Sequence, residues 1–218
     1  MRIAIVDYGI GNLGSVTKGF RHTGAETLLT GDPEAVRAAD ALVLPGDGAF
    51  GATMNEIRDR GLEGPILESV AAGKPLLGIC IGMQILFEES EEHGRHRGLG
   101  LLPGRVRRIE GDLPVPHMGW NRLRRRREHP LLQGIDDGAH VYFVHSYYCD
   151  AATDDTIACT DYGRDLAAIV GRGSAVGVQF HPEKSQGIGL RMLENWVAAL
   201  APQPSAEGST ATAAGGRA

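Results

Sequence analysis

Three short apolar runs constrain the fold of this chain most: Ile3–Val6 (IAIV), Ala41–Leu44 (ALVL) and Pro75–Ile79 (PLLGI). A strand with one wet face alternates apolar and polar residues, so a strand that is apolar throughout is covered on both faces. Strands are read over 2–6, 26–30, 41–44 and 75–79. The stretches between them have helical character. Residues 12–23 space Leu13, Val16 and Phe20 along one face and stop at Gly24, and further helices are read at 33–39, 52–60, 62–72 and 82–89. Buried strands alternating with helices specify an α/β fold, with an open, mostly parallel central sheet flanked by helices.

The second half is richer in strands, at 104–109, 140–146, 156–160, 166–171 and 174–180, so additional antiparallel strands are expected there. A last helix over 187–200 lines up Leu190, Leu193, Trp196, Val197 and Leu200. From Pro202 the chain holds Ala, Gly, Ser, Thr and Pro with nothing to bury. Residues 1–201 are therefore expected to form a single domain and 202–218 a disordered tail. A net charge of −5 gives no push toward nucleic acid or a membrane surface. No apolar run reaches the roughly 20 residues of a membrane span. The N-terminal MRIAIVDYG enters a glycine-rich loop after one strand, unlike a signal peptide. Cys80, Cys149 and Cys159 are far apart and form no C-x-x-C pair. A reducing cytoplasm is expected, with no disulfide scaffold and no cysteine zinc site.

The third apolar run ends in Gly78-Ile79-Cys80-Ile81-Gly82, a G-x-C-x-G segment followed by helix-like sequence. A strand that turns sharply into a helix needs residues without side-chain bulk around the turning residue, which is left projecting from the carboxyl end of the sheet. Cysteine in that place is a nucleophile once deprotonated, and a helix N-terminus beside it favours the thiolate. The pentapeptide alone reads equally well as a buried cysteine between packing glycines.

A thiol nucleophile needs a base, and the base needs an orienting group. Of eight histidines, His22, His93, His96 and His129 lie in polar stretches that read as solvated surface. His181 ends the apolar strand Gly177–Phe180 and opens His181-Pro182-Glu183. Residues two apart on extended backbone share a face, and Pro182 keeps His181 extended. The Glu183 carboxylate can then lie behind the imidazole and fix its tautomer. By itself the pair also fits a plain His-Glu contact at a strand end. Joined to the elbow it reads as a Cys80-His181-Glu183 triad.

Acyl chemistry also needs donors for an oxyanion. The backbone N–H of Ile81, next to the nucleophile, is one, and the turn Gly46-Asp47-Gly48 after the strand at 41–44 is the best second source. A plain β-to-α turn would carry the same residues. Gly9, Gly11 and Gly14 match G-x-G-x-x-G after the first strand, but Leu28, Leu29 and Thr30 stand where a dinucleotide site needs an acidic residue. A nicotinamide cofactor is rejected, and no cofactor or metal is expected.

These motifs resemble those of the triad (class I) glutamine amidotransferases, which are flavodoxin-like α/β proteins. Within them the chain is similar to the glutaminase subunits of imidazole glycerol phosphate synthase. The likeness spans nearly all of residues 1–200: DYGIGNLGSV (7–16), PGDGAFG (45–51), GKPLLGICIGMQ (73–84), GLGLLPG (98–104), VPHMGWN (115–121), YFVHSYY (142–148) and GVQFHPEKSQ (177–186). The resemblance implies glutamine hydrolysis through a γ-glutamyl thioester on Cys80. It assigns glutamine binding to Gly48, Gln84, His145, Ser146 and Tyr147. It also implies a heterodimer in histidine biosynthesis, with ammonia delivered to a (β/α)8-barrel cyclase subunit. That partner would be met by Asn12, Met118, Trp120, Tyr142, His145 and Lys184. Trp120 reads either as an interface anchor or as a core residue at a strand end. The alternative is the glutaminase subunit of anthranilate or aminodeoxychorismate synthase, against which the segment 7–16 argues. A non-catalytic relative with the same elbow is opposed by the His181/Glu183 pair.

Two segments depart from the pattern. Asp47 stands where the family motif leads one to expect a small apolar residue, so its carboxylate is expected to face away from the oxyanion. Residues 122–127 (RLRRRR) hold five arginines and read as a solvated strand or hairpin, or as a match for an acidic patch on the partner.

Overall fold

The computed structural model describes residues 1–200. The expected tail at 202–218 lies outside the described residues. In chain order the first half runs β1 (Arg2–Val6), α1 (Leu13–His22), β2 (Glu26–Thr30), α2 (Pro33–Ala38), β3 (Ala41–Leu44), α3 (Phe50–Asp59), α4 (Glu63–Ala71), β4 (Leu76–Ile79) and α5 (Ile81–Gln84). The helix starts follow local chemistry. Asn12 Oδ1 accepts the Ser15 N–H at the start of α1, and Asp32 Oδ1 accepts the Glu34 N–H at the start of α2, with Pro33 in the first turn.

The second half contains β5 (Phe87–Ser90), β6 (His96–Arg97), β7 (Leu102–Arg108), β8 (His117–Arg122), β9 (Arg124–Arg125), β10 (His140–His145), β11 (Tyr147–Ala151), β12 (Thr156–Asp161), β13 (Asp165–Arg172), β14 (Ala175–Val178) and α6 (Gln186–Ala199). The main sheet has the order β2-β1-β3-β4-β14-β13-β12-β9. It is parallel from β2 to β14 and antiparallel beyond. A four-stranded sheet (β11-β7-β5-β6) and a two-stranded ribbon (β10-β8) stand beside it.

Period-two alternation divides the core into two layers. Ile3 and Ile5 face α1 and α6, where Phe20 and Trp196 meet edge to face at 5.8 Å. Ala4, Val6, Leu42 and Leu44 face Phe50, Ile57 and Ile66 on the other side. This two-sided burial is what the apolar runs required.

The expected helix over 82–89 is one turn long. Its continuation, Phe87-Glu88-Glu89-Ser90, is a strand paired with β7. The glutamates there favour a helix by propensity, but tertiary contacts decide otherwise. Glu88 accepts the N–H of Gly104, Glu91 that of Arg108 and Glu92 that of Phe50. The arginine run spans the end of β8, β9 and the turn after it, and four of its five arginines are engaged within the chain. Arg124 and Arg126 both pair with Asp165, Arg125 pairs with Glu128, and Arg127 donates to Gly171 O.

Candidate active site

β4 and β14 run parallel and in register, Gly78 opposite Gly177 and Ile79 opposite Val178. Their carboxyl ends therefore bring Cys80 and the residues after Val178 to one edge of the sheet. Cys80 sits at φ 54°, ψ −110°, a left-handed conformation that costs a non-glycine residue about 1–3 kcal/mol and is held only by tight surroundings. The surroundings are tight. A side chain on Gly78 would strike Gly82 O, and one on Gly82 would strike Leu44 O. The Cys80 N–H donates to Val178 O at 2.8 Å, and its carbonyl accepts from Met83 and Gln84. Ile81 is the first residue of α5, where helix amides lack partners inside the helix.

His181 follows β14 and is fixed from three directions. Its N–H donates to Tyr142 O at 3.0 Å, its carbonyl accepts from Ser185 Oγ at 2.6 Å, and its Nδ1 meets Glu183 Oε1 at 2.8 Å. The imidazole and the carboxylate are 1% and 2% exposed. Burial alone disfavours the imidazolium, yet Cys80 and Glu183 outweigh it and push the pKa up to about 10. No hydrogen bond joins Cys80 Sγ to Nε2, which is buried without a partner. Sγ instead lies 4.0 Å from Val144 O and 3.8 Å from Gln179 Nε2.

Beside the sulfur is a cavity of about 300 Å³, lined among others by Asp47, Gly48, Ile81, Gln84, Glu92 and Tyr147. Ser146 and His145 complete the wall expected for glutamine. Gly48 has φ +109°, and a side chain on Gly46 would strike Ile81, so this turn is packed on the elbow. The Asp47 side chain is 43% exposed, and its Oδ1 is 3.9 Å from His181 Nε2. Gln84 is buried, and its Nε2 donates to Tyr147 O at 3.1 Å and to Gln179 Oε1 at 3.0 Å. Two residues of this site have no counterpart in the sequence reading. Gln179 was hidden as one polar position in an apolar strand, and Glu92 as one glutamate in an acidic run.

His145 is in the wall, but both its ring nitrogens are occupied. Nδ1 donates to Tyr147 O at 2.8 Å, and Nε2 accepts from His117 Nδ1 at 2.9 Å. His117 Nε2 accepts from Asn121 Nδ2 at 3.1 Å, and that amide also donates to Asp161 O. Burial lowers the pKa values of both rings, His117 to about 4 and His145 to about 3, so both are neutral at pH 7. His145 is thus a buried brace and not part of the outer surface. The expected partner-facing residues behave otherwise. Met118 (62% exposed) and Trp120 (47%) project outward from β8, and Tyr142 lies opposite Trp120 on β10 at 6.1 Å between rings. Trp120 is therefore no core residue. Lys184 is half-buried beside Glu183, and Asn12 caps α1 in the loop that packs on the Gly46–Asp47 turn. Arg60 covers Gly9, so the glycine pattern after β1 is closed by a side chain.

The sequence pattern of the glutamine amidotransferase class-I family matches residues 4–200. The chain belongs to the class-I glutamine amidotransferases. Among curated relatives of this amidotransferase, imidazole glycerol phosphate synthase subunit HisH of Syntrophotalea carbinolica is 51% identical, over 89% of this chain and 98% of the relative. The same subunit of Methanosarcina acetivorans is 49% identical, over 90% and 98%. A crystal structure of a glutamine amidotransferase superposes with a TM-score of 0.73 at 20% identity, over 91% of this chain and 98% of the other. The glutaminase domain of Trypanosoma brucei CTPS gives 0.67 at 18% identity, over 92% and 94%. These two likenesses concern the fold. The family and fold expected from the motifs are borne out.

Proposed function

We propose that the chain is the glutaminase subunit of an imidazole glycerol phosphate synthase. One observation carries this reading: a strained, elbow-mounted Cys80 and a carboxylate-backed His181 come together at one sheet edge, beside a cavity of about 300 Å³. The relatives near 50% identity, all bearing that subunit's name, support the choice within the family.

The mechanism follows from the groups present. Cys80 thiolate attacks the side-chain amide carbon of glutamine, and the C=O π electrons move to oxygen. The N–H of Ile81 and amides of the Gly46–Gly48 turn stabilise that oxyanion. His181 imidazolium gives its Nε2 proton to the departing nitrogen, so ammonia leaves and a γ-glutamyl thioester remains. A water then loses a proton to His181 and attacks the thioester, releasing glutamate and restoring the thiolate. Glu183 holds the imidazole and its charge throughout. Glu92 suits the substrate's α-ammonium, and Gly48, Ser146 and Tyr147 its α-carboxylate.

Ammonia passes to a (β/α)8-barrel cyclase subunit, which incorporates it and forms imidazole glycerol phosphate and an aminoimidazole carboxamide ribonucleotide. Met118, Trp120 and Tyr142 form the centre of the docking face, with Asn12 and Lys184 at its edge. The work is cytoplasmic and needs neither cofactor nor nucleic acid. The test is glutamine hydrolysis with and without the cyclase and its nucleotide ligand. Little turnover alone, strong stimulation in the complex, and loss in Cys80→Ala are expected. Full activity of the isolated chain sinks the regulated-subunit reading, and activity retained in Cys80→Ala sinks the mechanism.

A further inference from the structure

The turn that should stabilise an oxyanion carries a carboxylate, and that carboxylate points at the base. Asp47 Oδ1 stands 3.9 Å from His181 Nε2, a buried nitrogen without a hydrogen-bond partner. The titratable groups facing His181 are Glu183 on its own turn, Cys80 on the elbow, His145 on β10 and Asp47 on the β3–α3 turn. Glu183 occupies Nδ1 and His145 is neutral. Asp47 and Cys80 are left to compete for the proton on Nε2. Tyr8 lies behind them, fully buried, with a hydroxyl that has no partner and a pKa raised by burial and by the charges of Cys80 and Asp47.

We propose that Asp47 is a positioning residue whose carboxylate, 3.9 Å from His181 Nε2, competes with Cys80 for the imidazolium in the resting enzyme until the 46–48 turn moves. Two physical facts require the movement. An oxyanion held by this turn would be repelled by a carboxylate on the same turn. The same imidazolium proton cannot be given to Asp47 and to a leaving ammonia. The turn has the means to move. Gly48 has φ +109°, and the Asp47 side chain is 43% exposed, so water can receive the carboxylate when it leaves the pocket. The contact therefore acts as a brake on turnover in the absence of substrate or partner. This inference rests on the glutaminase reading.

The test is the rate of Cys80 alkylation by iodoacetamide in the full chain, followed by peptide mass spectrometry between about pH 5 and pH 9. Wild type is compared with Asp47→Asn and Asp47→Ser, both of which lose the charge. Peptide mapping separates Cys80 from the buried Cys149 and Cys159. Both variants should be alkylated about fivefold faster near neutral pH, the scale of a partly exposed ion pair, with the rate–pH profile displaced. Glutamine hydrolysis by the isolated chain should rise in parallel. Unchanged profiles, slower alkylation, or a rise in only one of the two variants would overturn the proposal. Absence of glutamine hydrolysis in the wild-type complex would instead sink the glutaminase reading, while the alkylation comparison would still decide the role of Asp47.

Discussion

At the residue scale the site is a problem of one proton on one imidazole. Glu183 meets Nδ1 at 2.8 Å with both side chains buried, and after Cys80 it is the group that favours the imidazolium. Folded-state pKa is raised to about 10, against an ordinary value near 6.5. The imidazolium on which the proposed mechanism depends is therefore present through neutral pH and is lost only as pH climbs toward that value. Glu183→Gln keeps the shape and removes the charge, which lowers this pKa. The alkaline limb of kcat should move to lower pH, and kcat should fall by about 10²–10⁴-fold. A pH–rate profile of the complex checks both. An alkaline limb at the wild-type position in Glu183→Gln would show that the carboxylate does not control the ring. His181-Pro182-Glu183 was legible in the sequence because i and i+2 on extended backbone share a face. The direction of Asp47 was not legible. A turn residue's side chain can leave in several directions, and only the packing of Gly46 on Ile81 selects one.

At the element scale the ribbon of β8 and β10 connects the outer surface to the site. Its outward face carries Met118, Trp120 and Tyr142. Its inward face carries His117, Phe143 and His145. Tyr142 O receives the His181 N–H, and Val144 O lies 4.0 Å from Cys80 Sγ, so this strand touches both partners of the chemistry. His117 is stacked between Phe143 and Tyr162, at 4.7 and 4.0 Å between ring centres, and braces His145, which holds Tyr147 O at the cavity wall. His117→Phe keeps the stacking but leaves His145 Nε2 buried without a donor, at a cost of about 1–3 kcal/mol. Steady-state kinetics of the complex should show a raised KM for glutamine with kcat nearly unchanged. The acid side of stability should change as well. Both rings have depressed folded-state pKa values, so their contribution is whole above about 6.5 and is lost as pH falls toward 4 and 3. Removing His117 should make acid unfolding less steep. An unaltered KM would exclude the brace as a determinant of glutamine binding. β10 was legible at 140–146 but β8 was not, because β8 pairs with a strand some twenty residues later, a partnership that no local pattern encodes.

At the scale of the whole molecule the surface is uneven in one informative way. Met118 and Trp120 are large apolar side chains left in water, and Trp120 borders the segment after His181. An exposed apolar patch at that place suits a protein partner. Trp120→Ala should weaken binding of the cyclase by about 2 kcal/mol or more, as anchor truncations do. The thermal stability of the isolated chain should hardly change, since the side chain is half in solvent. Calorimetric titration and melting curves check the two. A cyclase affinity equal to wild type would remove Trp120 from the docking face. The five arginines of 122–127 contribute little to such a surface, because Asp165, Glu128 and Gly171 O already engage four of them.

The order of the first strands and helices, the elbow and the His181–Glu183 pair were all present in the sequence. They depend on short-range rules: apolar runs, helical spacing, and glycines where a side chain would strike backbone. The Gly78–Gly82 segment alone left open whether Cys80 is a packed thiol or a nucleophile. Only the tertiary structure decided the rest: that residues 87–90 form a strand while Glu88, Glu91 and Glu92 accept backbone N–H groups of β7 and α3, that His145 is bound on both nitrogens, and that Asp47 faces His181. These outcomes depend on contacts between residues dozens of positions apart. Burial, direction and charge at such contacts follow from which elements meet, which the chain settles only by folding.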